Sequence, residues 1–180
     1  MTSNNKNTRS QLQETRLALV YGLVGILEDT GKIRLQKLLY FLQEACGVPT
    51  GFSFRMHHYG PYSEDLDTDL TRLKMGGYLN IVSDPQGYGF HVNVADGPDE
   101  KWQDIFDSKK TEIERTLALF GDKTPSQLEL MATIHFVDRL HDHPKTKELV
   151  TVVNGLKPKF TSQYIETCCK ELTENGLLSN

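Results

Sequence analysis

Apolar positions recur along the chain at helical spacing, switch to alternation in two places, and return to helical spacing. From Gln11 to Glu28, Leu12, Leu17, Leu19, Val20, Leu23, Val24, Ile26 and Leu27 cover more than one face of a helix, which places that helix centrally rather than at the surface. Asp29-Thr30-Gly31 breaks it. Ile33 to Cys46 carries Leu35, Leu38, Leu39 and Leu42 at steps of three and four, the stripe of a second helix that must find a partner. Between Gly47 and Tyr59, Phe52, Phe54 and Met56 alternate with Ser53, Arg55 and His57, an extended segment with one buried edge. Pro61, Ser63, Glu64 and Asp65 then open a third helix, because a hydroxyl can accept from an orphan N–H and carboxylates suit the positive end of the helix dipole. Leu66, Leu70 and Leu73 form its stripe, and Gly76-Gly77 closes it. Tyr78 to Ser83 and Tyr88 to Val94, rich in β-branched and aromatic residues, flank the turn sequence Asp84-Pro85-Gln86-Gly87. Helix, helix, hairpin is the order of a winged helix-turn-helix, and the stretch from Leu35 to Leu79 organises it.

The second half is helical. Asp99 to Phe120 reads as one long amphipathic helix stopped by Gly121. Thr124-Pro125-Ser126-Gln127 is a capping box with proline at the first helical position. The helix it opens carries Leu128, Met131, Ile134, His135 and Val137 to Leu140. A shorter helix from Lys145 to Asn154 ends at Gly155, and Thr161 or Ser162 caps the last one, which ends at Asn175-Gly176. The predicted fold is therefore α+β, mainly helical. It comprises a disordered tail over 1–10, a winged-helix-like unit with a β-hairpin wing over 11–95, a loop from Ala95 to Pro98, and a helical unit over 99–180. At an offset of 99 residues, Ser63, Leu66, Leu73 and Gly77 meet Ser162, Ile165, Leu172 and Gly176. Either the second unit is a degenerate repeat of the first, or two capped amphipathic helices have converged.

Composition narrows the setting. An apolar content of 38% in 180 residues suffices for one good core or two small ones sharing an interface. The net charge of −4 supplies no overall field toward phosphate backbones or anionic lipid. The three cysteines, Cys46, Cys168 and Cys169, are odd in number, and two are adjacent, which suits neither a disulfide framework nor a spaced zinc site. The apolar run from Leu17 to Leu27 is short for a membrane span. A soluble, cytoplasmic protein with reduced thiols is the expectation.

The chemistry of particular residues then weighs against catalysis. Neither Cys168 nor Cys169 sits in a nucleophile motif, and both lie mid-helix, where packing is the default. The glycine pairs lack the strand-loop-helix context of a phosphate loop. His57-His58 and His141-Asp142-His143 have no further ligand at metal spacing, and the second cluster reads more simply as a helix C-terminus. No catalytic residue, metal or cofactor is expected. A duplex-reading helix at Ser63 to Met75 would bear Glu64, Asp65, Asp67 and Asp69 against Arg72 and Lys74, which sets carboxylates beside phosphates. Nucleic acid is therefore disfavoured. Basic residues gather around the second helix and connector, at Lys32, Arg34, Lys37, Arg55 and His57; the plainer reading makes them solvated charges, with Lys37 paired to an acid of the Ser63 helix. A surface of mixed sign, with Arg34, Lys37, Arg55 and His57 facing Glu64 and Asp67 and with Tyr59 and Tyr62 as aromatic anchors, suits a protein partner or a second copy of the chain. Tyr78 is the third candidate anchor, with packing against the hairpin as its alternative.

Leu35-Gln36-Lys37-Leu38-Leu39-Tyr40-Phe41, followed by His58-Tyr59-Gly60-Pro61-Tyr62-Ser63, resembles the signature of the YwgA-type bacterial proteins, and more distantly that of the Panacea domain, the SocA-like antitoxin family. Lys157-Pro158-Lys159-Phe160, Ile165 and Gly176-Leu177-Leu178 extend the YwgA-type likeness over most of residues 16 to 178. The resemblance implies a mainly helical fold without established enzyme activity. Its Panacea side implies neutralising or delivering a partner protein in toxin–antitoxin or phage-defence settings, and Tyr62 after Gly60-Pro61 departs from the apolar residue usual there. Taken together, residues and resemblance lead to a non-enzymatic protein-binding module, antitoxin-like or regulatory, in a bacterial or phage-related system. The alternative is a dimeric winged-helix transcription regulator.

Overall fold

The computed structural model describes residues 2–28, 30–84, 89–95 and 100–178, with side chains from residue 10 onward. The fold is α+β and mainly helical. Its elements run α1 (Thr2–Leu27), β1 (Thr30–Gly31), α2 (Lys32–Glu44), β2 (Arg55–His57), β3 (Gly60–Tyr62), α3 (Glu64–Met75), β4 (Leu79–Ser83), β5 (Phe90–Val94), a 3-10 turn (Glu100–Trp102), α4 (Gln103–Asp107), α5 (Lys110–Phe120), α6 (Pro125–Leu140), α7 (Thr146–Leu156) and α8 (Ser162–Glu174). The backbone is already helical at Thr2 instead of forming a tail to residue 10, because each residue added to an existing helix gains a bond without the cost of a new nucleus. Of the expected turn at Asp84 to Gly87 and the expected loop at Ala95 to Pro98, residues 85–87 and 96–98 lie outside the described residues. No described helix is long and apolar enough to cross a membrane.

The chain divides into two compact units. The first holds the residues up to Phe54 together with Ser63–Asp122; the second holds Arg55–Tyr62 and Lys123–Asn180. The boundary expected at residues 95–99 therefore falls inside the first unit, whose core includes Trp102 and Ile113 beside Leu19, Val20, Leu23, Leu39, Leu70 and Val92. In that unit β5 lies between β1 and β4, all antiparallel, with Thr30 and Ile81 both opposite Val92. A two-residue strand such as β1 is too short to show alternation and exists only through its partner. The long helix expected from Asp99 breaks at Ser108, whose hydroxyl donates to Ile105 O at 2.6 Å and competes with the backbone. The shorter α4 then closes on α1: a Cβ on Gly22 would lie 2.2 Å from Phe106 Cδ2.

The second helix is buried on every side rather than along one stripe. Residues Leu35 to Leu42 are all buried, Gln36 and Lys37 among them. A buried amide must be satisfied. Gln36 donates from Nε2 to Ser63 O at 2.9 Å and accepts from Ser63 N–H at 3.0 Å, pairing with the backbone as a strand neighbour would. Ser63 remains the N-cap residue of α3, but its hydroxyl makes no cap hydrogen bond; Gln36 holds its backbone instead. At the other end of α3, Gly77 takes φ +78, Tyr78 N–H donates to Leu73 O at 2.9 Å, and the helix closes as its sequence predicts.

In the second unit β2 and β3 form a separate antiparallel pair, with Arg55 opposite Tyr62 and His57 opposite Gly60. What the sequence shows as a single extended connector is thus a hairpin. The capping box of α6 is present: Thr124 Oγ1 accepts from Gln127 N–H, and Gln127 Oε1 accepts from Thr124 N–H at 2.9 Å. Helix α7 runs through Gly155 to Leu156, and Thr161 caps α8. Leu66, Leu70 and Leu73 share burial with Ile165, Cys169 and Leu172, and Gly176 repeats the left-handed closure of Gly77. The starts of the two helices differ, since Thr161 caps with its side chain and Ser63 does not.

Replacing Gln36 with Ala strands the buried N–H of Ser63, whose C=O keeps the long bond from Asp67 N–H at 3.4 Å. It is expected to lower unfolding free energy by about 1–3 kcal/mol, measured by urea denaturation; a loss no larger than that of an exposed substitution contradicts the role of the Gln36 bonds.

Candidate functional site

The first unit contains a cleft of about 320 Å³, lined by Leu12, Gln13 and Arg16 of α1, Gly51, and Asp65, Thr68 and Arg72 of α3. Helical geometry accounts for the lining: positions 65, 68 and 72 share one face of α3, while Leu66, Leu70 and Leu73 turn to the core. Behind the cleft sits Asp69, with 0% exposure. Arg72 donates from a terminal nitrogen to Asp69 Oδ1 at 2.9 Å. Arg16 Nε stands 2.9 Å from Asp69 Oδ2, ion-pair distance without hydrogen-bond alignment. The Arg16 guanidinium also lies 4.0 Å from Asp65 Oδ2 and 5.2 Å from the centre of the Phe52 ring. Burial pushes the Asp69 carboxyl above its ordinary value of 3.8, against the opposing pull of Arg16 and Arg72. The cleft wall closes at Gly51, with φ +70, where a Cβ would meet Leu12 Cδ2 at 2.5 Å.

The residues expected at a contact surface divide between the units. In the first, Arg34 donates to Gly121 O, and Glu64 is exposed. Lys37 is 1% exposed and so takes no part in a surface, because α2 is enclosed on all sides. Asp67 pairs with Lys32 at 2.7 Å. In the second, Arg55 and His57 are exposed on β2, Tyr59 is 54% exposed, and Tyr62 lies tilted to His57 at 5.4 Å. Tyr78 packs with Trp102 at 4.9 Å and Tyr21 at 6.1 Å, so it is no exposed anchor. The acidic face expected of α3 is largely neutralised: Asp69 turns inward, Asp67 is paired and Asp65 lies near Arg16. The sequence reading passed over Arg16, although its spacing between Leu12 and Val20 on an apolar helix is the mark of an inward-facing cation.

Two buried carboxylates organise the second unit. Glu129 accepts from Lys157 at 2.9 Å and Lys159 at 2.8 Å, and Lys157 also donates to His58 O, which ties the β2–β3 turn to α6. Asp138 Oδ2 lies 2.6 Å from His143 Nδ1, and His143 N–H donates to Asp138 O at 2.9 Å, so the His141-Asp142-His143 cluster closes α6. Burial raises the thiol of Cys168 and pushes that of Cys169 up to about 12, so both are protonated at neutral pH. Among the described residues no group of three or more His, Cys, Asp or Glu stands close enough to hold a metal ion.

The Asp69 shift carries a sign. A carboxyl raised in the folded chain contributes stability that is complete below 3.8 and is lost as pH climbs through the raised value. Urea denaturation at stepped pH should show the wild type losing stability relative to Asp69→Asn as pH rises above 3.8; a pH-independent difference contradicts the shift.

No family model matches the chain. It is 32% identical over 95% of its length to a protein of Thermus aquaticus (strain ATCC BAA-2747 / Y51MC23) named DNA ADP-ribosyl glycohydrolase, and it spans about half of that protein, 49%. It is also 25% identical, over 84% of its length, to the uncharacterised protein YwgA of Bacillus subtilis (strain 168), spanning 93% of that chain. The second likeness supports the YwgA-type resemblance read from the motifs. The first overturns the expectation of a non-enzymatic binding module: the relative that shares almost this whole chain is named for a hydrolase, an activity that no motif of the sequence announces. The runner-up, a transcription regulator, gains no support from either.

Proposed function

We propose that this chain serves the removal of ADP-ribose from DNA, as the counterpart of one half of a DNA ADP-ribosyl glycohydrolase. The observation that carries the reading is the 32% identity extending over 95% of the chain. Hydrolysis of a glycosidic bond canonically uses two carboxyl groups, one to protonate the leaving oxygen and one to activate water or attack the sugar, about an oxocarbenium-like transition state. The cleft lining offers one such carboxylate, the half-exposed Asp65, beside the guanidiniums of Arg16 and Arg72 held in place by Asp69. The order helix, short strand, helix, helix and hairpin supports a winged-helix-like description of the first unit that carries them. With a net charge of −4, long-range attraction to a duplex is absent, so the modified group rather than the phosphate backbone would be what is recognised.

The test is release of ADP-ribose from an ADP-ribosylated oligonucleotide. The purified chain is assayed alone and together with the part of the Thermus protein that lies outside the matched span. Release by the chain, or faster release when it is added to that part, is the expected result. No release alone and no effect in combination overturns the proposal.

A further inference from the structure

The sheet of the first unit, in the order β1-β5-β4, leaves β4 along one side among the described residues. The opposite side is only the two residues of β1. An edge strand of five residues presents backbone donors and acceptors to whatever can pair with them. Which residues present them follows from the register. Ala95 N–H donates to Tyr78 O at 3.0 Å, and Asp84 N–H donates to Gly89 O at 2.9 Å, one bond at each end of the pairing with β5. Bonded and unbonded pairs alternate along an antiparallel ladder, so Asn80 and Val82 turn their backbone groups to β5. Leu79, Ile81 and Ser83 turn theirs outward. Beside them the Val82 side chain is 53% exposed.

A second copy of the chain carries the same edge. A two-fold axis at Ile81 would set Ile81 against Ile81 and Leu79 against Ser83, each pair exchanging N–H and C=O groups. One side chain stands in the way. Lys74, next to the last residue of α3, is exposed and donates from Nζ to Ile81 O at 3.3 Å. Lys110 and Lys170, also exposed, lie near acids one turn along their own helices, whereas Lys74 reaches a strand carbonyl. That carbonyl is the central acceptor of the edge, so the ammonium holds the place an incoming N–H would take. It also stands at the axis. The symmetry that pairs the edges brings both ammoniums to one ladder, whose strands are about 4.8 Å apart. Like charges at such a spacing repel, and closing the ladder over them removes their water.

We propose that the β4 edge is a strand-pairing surface whose occupant is a second copy of this chain, and that Lys74 keeps it closed. The charge of one lysine, set on the carbonyl of Ile81, holds the chain single at this edge. Nothing in this depends on the proposed activity.

Size exclusion with light scattering, over a concentration series of the whole chain, tests it, together with amide exchange of Ile81 and Ser83 followed by NMR. Wild type is expected at monomer mass with both amides exchanging fast. Lys74→Ala is expected to reach dimer mass and to slow those two amides by about tenfold or more. Lys74→Arg keeps the charge and is expected to stay monomeric. Adding Ile81→Pro to Lys74→Ala removes the outward N–H without touching a bond to β5, and is expected to restore the monomer. Thermal melts confirm that each variant folds; Lys74→Gln replaces Lys74→Ala, and Ser83→Pro replaces Ile81→Pro, should either not fold. A dimeric wild type, a monomeric Lys74→Ala, or a Lys74→Arg that associates as Lys74→Ala does each overturns the proposal. So does association that survives the proline or leaves the two amides fast.

Discussion

Eight consecutive residues of α2 are buried, and two of them are polar. That single fact shapes the first unit. A helix enclosed on all sides cannot leave an amide unpaired, since a buried donor or acceptor without a partner costs more than the hydrogen bond itself contributes. Gln36 meets the requirement by pairing with both backbone groups of Ser63, at the point where the chain re-enters the first unit after the β2–β3 hairpin. The register of α3 is thereby set from outside the helix. Its own hydroxyl is not needed for the start, and the positions of Asp65, Thr68, Asp69 and Arg72 follow from where that start is held.

The same logic of burial governs charge. Asp69, Glu129 and Asp138 are carboxylates removed from water, and each lies against cationic or imidazole groups: Arg16 and Arg72, Lys157 and Lys159, and His143. The acidic appearance of the α3 sequence is thus misleading as a description of its surface. What reaches solvent is a mixture of Glu64, Asp65 near Arg16, Asp67 paired with Lys32, half of Arg72, and Lys74. The number of carboxylates on α3 therefore does not set the charge of its surface, and the cleft beside it depends on a cation from α1, Arg16.

Much of the architecture could be read before any coordinates. The stripes of Leu66, Leu70 and Leu73, the closure at Gly77, the Thr124–Gln127 box and the packing of Cys169 are local patterns, each fixed by neighbours within a few residues, so periodicity and turn chemistry suffice to find them. Misread features share the opposite property. The β1 strand exists because β5 lies beside it, the connector becomes a hairpin because Gly60 pairs with His57, and the break at Ser108 accompanies the close approach of Phe106 to Gly22.

Activity was the least legible part. The chain carries no nucleophile motif, phosphate loop or metal spacing, and the likeness to a glycohydrolase is spread over most of its length rather than concentrated in a signature. The mainly helical class, the closures at Gly77 and Gly176 and the start at Thr124 were written in the amino-acid order, because hydrogen bonds and apolar faces of a helix are settled between residues three and four apart. That Arg16 meets Asp69, and that Arg16, Asp65 and Arg72 line one cleft, emerged from packing α1 against α3, because a pairing between positions some fifty apart leaves no mark on either segment alone.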